Sequence, residues 1–435
     1  MINREEILRR WKPDEAERKK LHDISNDLLS KIRNILQREK IDAEPLVVGS
    51  VAKHTNVKGG DIDIFVVFSR NYSEKDIGKL GLKIGHEVLS DGREKYAEHP
   101  YVSGTIDGVK IDLVPCLKIE KNSKIISSVD RTPLHTQYVL ENLAEDQADE
   151  VLLLKAFMKS IGVYGSEIKV SGFSGYICEL LVINLETFEN VIRMFATVRG
   201  RVLIPENAET EKKFSSPVVI IDPIDINRNA AAAVSLENLS KMKIESRLFF
   251  QDQSMKFFEG PLSIKPSQYR DRGAFMRIFR FQRPDLVDDI IYSQANRFQQ
   301  QLTDLLSSKG FYPVSSELSV STEFIDVAIE TKLVTLPGTR LHMGPPVDDE
   351  RAKDYIARWS NNNAIRGPYV IGDRLAVDVS VEPRTLEETV ISELPRLNIG
   401  KHLNPLKDKL IIIDPSKTKA KYEVLGKFYS RKIIF

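Results

Sequence analysis

Pro45-Leu-Val-Val-Gly-Ser50 and, eleven positions after Ser50, Asp61-Ile-Asp-Ile-Phe-Val-Val-Phe68 are the stretches that decide the fold of this chain. The first reads as a short apolar strand closing in a small-residue turn. The second alternates and then becomes wholly apolar, so two strands joined by a glycine-bearing loop are expected. Residues i and i+2 of a strand share a face, which projects Asp61 and Asp63 together while Ile62 and Ile64 enter the core. Two adjacent carboxylates repel, and the pair is unfavourable unless a cation bridges it; hard divalent ions such as Mg2+ take carboxylate and phosphate oxygens together. Further on, Tyr101 to Ile106 and Val109 to Val114 flank Asp107-Gly108, a pair that favours a type I′ hairpin turn. Alternation along Val109-Lys-Ile-Asp-Leu-Val114 puts Asp112 opposite Ile111 and Leu113, where a neighbouring strand supplies a third carboxylate.

Three carboxylates can hold two metal ions, one activating an attacking hydroxyl and the other clamping a triphosphate and its leaving pyrophosphate. Asp-x-Asp alone also fits a solvated strand end, and Gly49-Ser50 alone also fits an ordinary tight turn. Together they carry more. A strand that ends in Gly-Ser and turns into a helix presents backbone N–H groups and a hydroxyl to a phosphate, with no Cβ at Gly49 in the way. Lys53, one turn later, adds a positive charge.

Working outward, Leu21, Ile24, Leu28, Ile32, Ile35 and Leu36 recur at helical spacing before the first strand, and Ser73 with Asp76 resembles a helix N-cap. Thr132-Pro133 reads as a cap followed by proline, and Asp146 as a second cap ahead of the apolar run Val151 to Met158. From there to residue 258 the pattern is mostly helical, broken by Val218-Val-Ile-Ile-Asp222 and ended by Glu259-Gly-Pro261. The remainder alternates again, with strands at Ala274 to Phe281, Glu317 to Ser321 and Phe324 to Glu330 and a helix from Ser293 to Leu306 closed by Gly310. Three domains, 1–132, 133–258 and 259–435, are therefore expected, in keeping with 435 residues at roughly 150 per domain.

The composition, 42% hydrophobic and 29% charged, excludes disorder and collagen-like structure. No apolar stretch approaches the ~18 residues that cross a bilayer, and the charged first twenty residues do not read as a signal peptide, so a cytoplasmic protein with no membrane partner is expected. Cys116 and Cys178 form no Cys-x-x-Cys pair and read as buried thiols. A formal charge of +1 leaves any nucleic-acid contact to local patches. One such patch is the tail from Lys401 to Phe435, with nine lysines and arginines against three acids and with Tyr422, Phe428 and Tyr429 interleaved; it fits a grip on a phosphate backbone as well as a solvated face. No Walker lysine motif, Rossmann glycine fingerprint or His-Glu-x-x-His occurs.

The order Gly49-Ser50, Asp61-x-Asp63, distant Asp112 resembles the DNA polymerase β-type nucleotidyltransferase superfamily. Longer segments narrow the likeness: Tyr96-Ala-Glu-His-Pro-Tyr101, Val129-Asp-Arg-Thr-Pro133 with His135, Gly172-Phe-Ser-Gly-Tyr176 with Cys178-Glu-Leu-Leu181, and Asp222-Pro-x-Asp225-x-x-Arg228-Asn229. With Pro284-Asp-x-Val-Asp-Asp289 and Met343-Gly-Pro345 before Asp349-Glu-Arg351, they resemble the archaeal, class I CCA-adding enzymes, which build the CCA 3′ end of tRNA; the likeness weakens after about residue 360.

The resemblance implies an α+β chain with a mixed-sheet nucleotidyltransferase head, a mainly helical centre and a C-terminal α/β domain of ferredoxin-like or RNA-recognition type. It implies stepwise addition of C, C and A from CTP and ATP to tRNA lacking all or part of its CCA end, without a template and with pyrophosphate release. Asp61, Asp63 and Asp112 would be the catalytic, metal-binding carboxylates of a two-metal Mg2+ site, although the family often has Glu at the first position. Ser50 and Lys53 would hold the triphosphate, Lys53 as a point charge where the family commonly has Arg. His135, Lys155 and Tyr164 match nucleotide-binding positions, and Arg228 one that recognises the nucleotide. Read without the family, His135 is a surface residue on a proline-started helix, Lys155 a snorkelling lysine, Tyr164 a packing residue and Arg228 a loop arginine; Phe173, Tyr176 and Cys178 to Leu181 read as core. The oligomeric state is open, a homodimer included. A poly(A) polymerase-like enzyme, a small-molecule nucleotidyltransferase and a non-catalytic RNA-binding protein of the same fold are the rivals.

Overall fold

The computed structural model describes residues 2–96, 100–119, 129–259, 275–360, 364–418 and 420–430. It starts with helix α1 (Arg4–Trp11), capped by Asn3, and α2 (Glu15–Glu39), capped by Asp14. The apolar spacing of α2 produces the expected face: Leu21, Ile24, Leu28, Ile32, Ile35 and Leu36 are all buried. Strand β1 (Ala43–Val48) runs into the single turn α3 (Gly49–Ala52); β2 (Ile62–Phe68) follows, then α4 (Glu74–Val88) capped by Ser73, β3 (Arg93–Tyr96), β4 (Pro100–Ile106) and β5 (Val109–Leu117). Asp107 and Gly108 both have positive φ, as a type I′ turn between β4 and β5 requires. Of the Tyr96 to Tyr101 segment, residues 97–99 lie outside the described residues.

The five strands form one mixed sheet in the order β1-β2-β5-β4-β3, in which only the β2–β5 pair is parallel. Ile62, Ile64, Ile111 and Leu113 share a core with α2 and α4 on one face. Alternation therefore delivers Asp63 and Asp112 to the opposite face.

Helices α5 (Thr132–Asn142), α6 (Gln147–Ser160), α7 (Gly175–Leu185) and α8 (Phe188–Thr197) follow, then β6 (Val202–Ile204), α9 (Ala208–Lys213), β7 (Val218–Ile220) and α10 (Leu236–Gln251). The two expected caps do not form. Thr132 is already helical, because a 3-10 turn over Val129–Arg131 runs straight into α5, and Asp146 at the start of α6 has helical dihedrals and makes no capping bond. Capping needs an extended residue whose side chain reaches back to the second or third N–H, and neither turn supplies one. Val218–Ile220 is a strand as expected, but it pairs with Val202–Ile204, too short a run to stand out in sequence. The helical layer shares one core around Phe157, Phe188, Phe249, Phe257 and Phe258, whose ring centroids lie 5.5–6.0 Å apart where they touch, and Ile7 of α1 joins it. Residues on both sides of position 132 belong to one compact unit, Met1–Leu262.

The second unit, Ser263–Arg431, contains β8 (Phe275–Gln282), α11 (Asp288–Lys309), β9 (Pro313–Val320), β10 (Phe324–Thr331), β11 (Thr339–Pro346), α12 (Ala352–Ser360), β12 (Arg366–Ile371), β13 (Arg374–Ser380), α13 (Leu386–Glu393), β14 (Ile411–Ile413) and α14 (Glu423–Ser430). Residues 260–274, where the domain break and the first residue of its first strand are expected, lie outside the described residues. The antiparallel sheet β14-β8-β10-β9, with α11 and α13 sharing one apolar core against it, is a βαββαβ arrangement and thus the expected ferredoxin-like fold. A second sheet, β11-β13-β12, is inserted between β10 and α13 and was not legible in sequence.

The basic tail is divided in use. Lys407 donates to the carbonyls of Pro395 and Leu397, Lys427 donates to Ser319 Oγ at 2.9 Å, Phe428 is buried, and the Tyr422 ring faces the Arg280 guanidinium. Lys401, Lys409, Lys417 and Lys421 are exposed, and Lys419, Arg431 and Lys432 lie outside the described residues.

Phe157 is fully buried and touches four other rings, so Phe157→Ala is expected to cost about 3–5 kcal/mol of unfolding free energy, read by denaturant titration.

Candidate active site

The parallel register of β2 and β5 sets Asp63 directly beside Asp112, and Asp61 sits at the mouth of β2 on the same side. One carboxylate oxygen from each of the three lies within 4.8 Å of the others. Like charges this close raise one another's pKa, and burial adds to it. Asp63 carries the result: burial first, then Asp61 and Asp112, push its carboxyl up to about 7. Lys110, two residues before Asp112 and hence on its face, bridges the other two, with Nζ 2.6 Å from Asp112 Oδ2 and 3.2 Å from Asp61 Oδ2. Asp112 Oδ1 is buried and has no hydrogen-bond partner. Gly49 packs so closely on Asp63 that a Cβ there would overlap Oδ2, and its φ of 74° is one that L side chains rarely adopt. An orphaned oxygen, a glycine cradle and a carboxylate-only donor set all fit a hard divalent cation.

Two further carboxylates organise the remaining expected residues. Lys53 ends α3, Ser50 lies within it, and Thr55 follows. Fully buried Glu179 on α7 accepts from Lys53 Nζ at 2.5 Å and Thr55 Oγ1 at 2.6 Å, and pairs with Lys155 Nζ of α6 at 3.4 Å. Lys155, itself 1% exposed, also donates to the Thr55 carbonyl at 2.8 Å and Oγ1 at 3.1 Å. Burial opposes both charges. It lowers the Lys155 pKa, whereas for Glu179 the lysines outweigh it and hold the carboxyl below its usual range. Tyr164 reaches the same place, since a Cβ on Gly175 would lie 3.0 Å from its hydroxyl and 3.4 Å from Lys155 Nζ. Burial pushes the Tyr164 phenol up, so it stays protonated.

Asp222, just after β7, collects the others. It accepts from His135 Nε2 at 2.9 Å, Arg228 Nη1 at 2.8 Å and the Tyr176 hydroxyl at 3.3 Å. Burial works to raise its carboxyl, but the His135 hydrogen bond, with those of Ile224 N and Arg228, holds it at about 2. His135 also stacks on Tyr176, with centroids 4.2 Å apart. The Tyr176 ring faces Lys53 at 5.9 Å, linking this cluster to the lysines.

Every expected residue except Ser50 thus falls into one of three carboxylate-centred groups; Ser50 lies on the single turn after β1. The sequence alone does not show the organisers: Glu179 and Tyr176 read as core, yet Glu179 pairs with both lysines and Tyr176 stacks on His135 and bonds Asp222, while Lys110, Thr55 and Asp222 carry no expected role. The signal for Glu179 is visible afterwards, because Lys155 and Glu179 are opposite charges embedded in two apolar helical runs.

A curated CCA-adding enzyme of Picrophilus torridus is 47% identical over 433 residues, covering 100% of both chains. Another, from Thermoplasma volcanium, is 46% identical over 434 residues, covering 99% of this chain and 98% of its own. This chain belongs to the CCA-adding enzyme family. Residues 29–135 match the nucleotidyltransferase domain, 149–259 the second domain of tRNA nucleotidyltransferases and 272–413 the C-terminal domain of CCA-adding enzymes. A third relative, from Thermoplasma acidophilum, is 46% identical over 433 residues, covering 100% of this chain and 99% of its own. The chain is accordingly a tRNA nucleotidyltransferase of CCA-adding type, and neither the poly(A) nor the non-catalytic rival is favoured. No helix among the described residues is long and apolar enough to cross a membrane.

Because Asp63 binds its proton more tightly folded than unfolded, it stabilises the metal-free protein below pH 4 and loses that contribution as pH rises through about 7. Asp63→Asn is expected to stabilise the metal-free protein at pH 8 by on the order of 2 kcal/mol, seen as a higher melting temperature, and to abolish the further rise that a divalent ion gives the parent. Gly49→Ala, which must displace Asp63 and strain a left-handed residue, is expected to weaken Mn2+ binding measured by electron paramagnetic resonance.

Proposed function

We propose that Asp61, Asp63 and Asp112 hold Mg2+ for stepwise addition of C, C and A to a tRNA 3′ end, with CTP and ATP as substrates, in the cytoplasm. The observation that carries this reading is the side-by-side register of Asp63 and Asp112 with an unpartnered, buried oxygen on Asp112. The ions, when bound, supply Lewis-acid activation of the 3′-hydroxyl and neutralise charge on the triphosphate and departing pyrophosphate.

The protein's own groups do the rest. Lys53 and Lys155 provide positive charge for the phosphates, and Ser50 offers its hydroxyl from a turn that Gly49 keeps open. Tyr164, kept protonated by burial, can donate to the nucleotide but not act as a base. Asp222 locks His135 and Arg228 in place, so that the guanidinium is presented to the base in one orientation rather than as a mobile surface charge. Each rigid donor selects among bases because a mismatched partner leaves it unpaired. Recognition of tRNA by shape and backbone agrees with the narrow major groove of an RNA duplex, which hides base edges.

The test offers purified protein tRNA transcripts ending at the discriminator base, at C and at CC, each with CTP or ATP alone. Expected is C on the first two, A on the third and arrest after A; unlimited tailing would instead indicate a poly(A)-type enzyme. Asp63→Ala is expected to lower incorporation by roughly 10³-fold, the loss that goes with several kcal/mol of charge stabilisation, while filter-binding affinity for tRNA stays within about twofold. Incorporation at the parent rate would refute the metal assignment.

A further inference from the structure

Glu179 belongs neither to the carboxylate triad nor to any expected ligand set, yet it is the point on which both lysines converge. It is 0% exposed on a helix whose neighbouring Cys178, Leu180 and Leu181 are also buried. A carboxylate in such surroundings is retained only when it is paired and hydrogen-bonded, and here three bonds reach it, from Lys53 on Oε2 and from Thr55 and Lys155 on Oε1, while Lys155 is tied in turn to Thr55. The bonds join residues 53–55, which follow the Gly49-Ser50 turn, to the helices α6 and α7.

The three charged groups are not equivalent. An ammonium has three donors. Lys155 places its three on Thr55 O, Thr55 Oγ1 and Glu179 Oε1, so the protein itself satisfies it. Lys53 has a single hydrogen-bond acceptor, Glu179 Oε2, and its charge is felt at Asp63 of the triad. Its two remaining donors make no hydrogen bond to the protein among the described residues. Without Glu179, two buried ammoniums around the same threonine would face each other uncompensated.

We propose that Glu179 is a positioning residue for nucleotide binding: its buried carboxylate aims Lys53 at the triphosphate and neutralises the Lys53–Lys155 repulsion that would otherwise scatter the pair. This rests on the triphosphate assignment of Lys53 made above and extends it to a residue that does not touch the nucleotide. The arrangement has the logic of the lysine–glutamate pair that orients a phosphate-binding lysine in protein kinases, reached here from an unrelated fold. Because the role is electrostatic and precedes base selection, CTP and ATP should depend on it alike.

The test is a double-mutant cycle on the full chain with saturating Mg2+ and tRNA. Glu179→Gln is expected to raise KM for both CTP and ATP by about 10-fold or more, the scale of a misplaced contact, with a smaller change in kcat and unchanged tRNA affinity. Lys53→Met is expected to raise KM comparably, and the double variant to be no worse than Lys53→Met alone, since Glu179 acts through that lysine. An unchanged or lowered KM in Glu179→Gln, or an additive double variant, would overturn the inference. If Glu179→Gln does not fold, the comparison of Lys53→Met with the double variant, in which one charge of each sign has gone, decides alone: equal KM values support the inference and a further rise overturns it. Parent enzyme that shows no saturable dependence on CTP would defeat the nucleotidyltransferase reading itself, an outcome distinct from either.

Discussion

Placing Asp63 and Asp112 side by side on two parallel strands is the constraint on which the rest of the structure turns. Nothing about folding favours it. Two carboxylates in adjacent register with a third at the strand mouth cost electrostatic free energy, and Asp63 records the cost by keeping its proton up to about pH 7. The sheet tolerates the arrangement because its other face is a continuous apolar core formed with α2 and α4, whose burial outweighs a local repulsion confined to one edge of the opposite face. Gly49 completes the constraint from the neighbouring strand: Val48 pairs with Asp63, and only a residue without a side chain fits the turn that follows.

Charge is then distributed by a common device. Asp112 and Asp61 share Lys110, Glu179 shares Lys53 and Lys155, and Asp222 shares Arg228 and His135. Each cluster sets one or two carboxylates against polar cations or donors, so that long, flexible side chains which would wander on a surface are held in one geometry. Asp63 is the exception; among the described residues it has no cation or donor within hydrogen-bond distance. A group left in that state at the centre of an otherwise compensated site is where an external cation has most to offer.

Strands β1, β2, β4 and β5, helix α2 and the hairpin turn were legible because each is a local pattern: period two, period three to four, and an Asp-Gly pair at a fixed place, whereas the four-residue β3 was not. Strand alternation likewise put Asp61 and Asp63 on one face, but Asp112 joins them only through the β2–β5 register, and it was the family resemblance that brought it into the triad. What failed was non-local or depended on the preceding turn. Thr132 and Asp146 have the side chains of caps, yet helical backbone upstream removes the extended geometry that capping needs. The sheet β11-β13-β12 pairs segments interrupted by a helix, and its exposed strands lack a clean apolar face. Glu179 escaped because a lone acid in an apolar helix says only that it is buried; Lys155 lies two dozen residues before it, but its other partners, Lys53 and Thr55, lie more than a hundred residues away.

Helix α7 ties the chemistry together. Its first residue, Gly175, leaves room for the Tyr164 hydroxyl and Lys155; Tyr176 stacks on His135 and bonds Asp222; Glu179, one turn further along, holds Lys53 and Lys155. Positions four apart on a helix lie on one face, so Gly175 and Glu179 meet the lysines together while Tyr176 turns toward the Asp222 cluster. The helix is eleven residues long and nearly surrounded by core, which makes it a stiff connection between the groups assigned to the phosphates and those assigned to the base. Any displacement of α7 that shifts Tyr176 against the base-side cluster must also shift Glu179 against Lys53. The groups proposed for nucleotide selection and those proposed for the phosphates are therefore held by a single element.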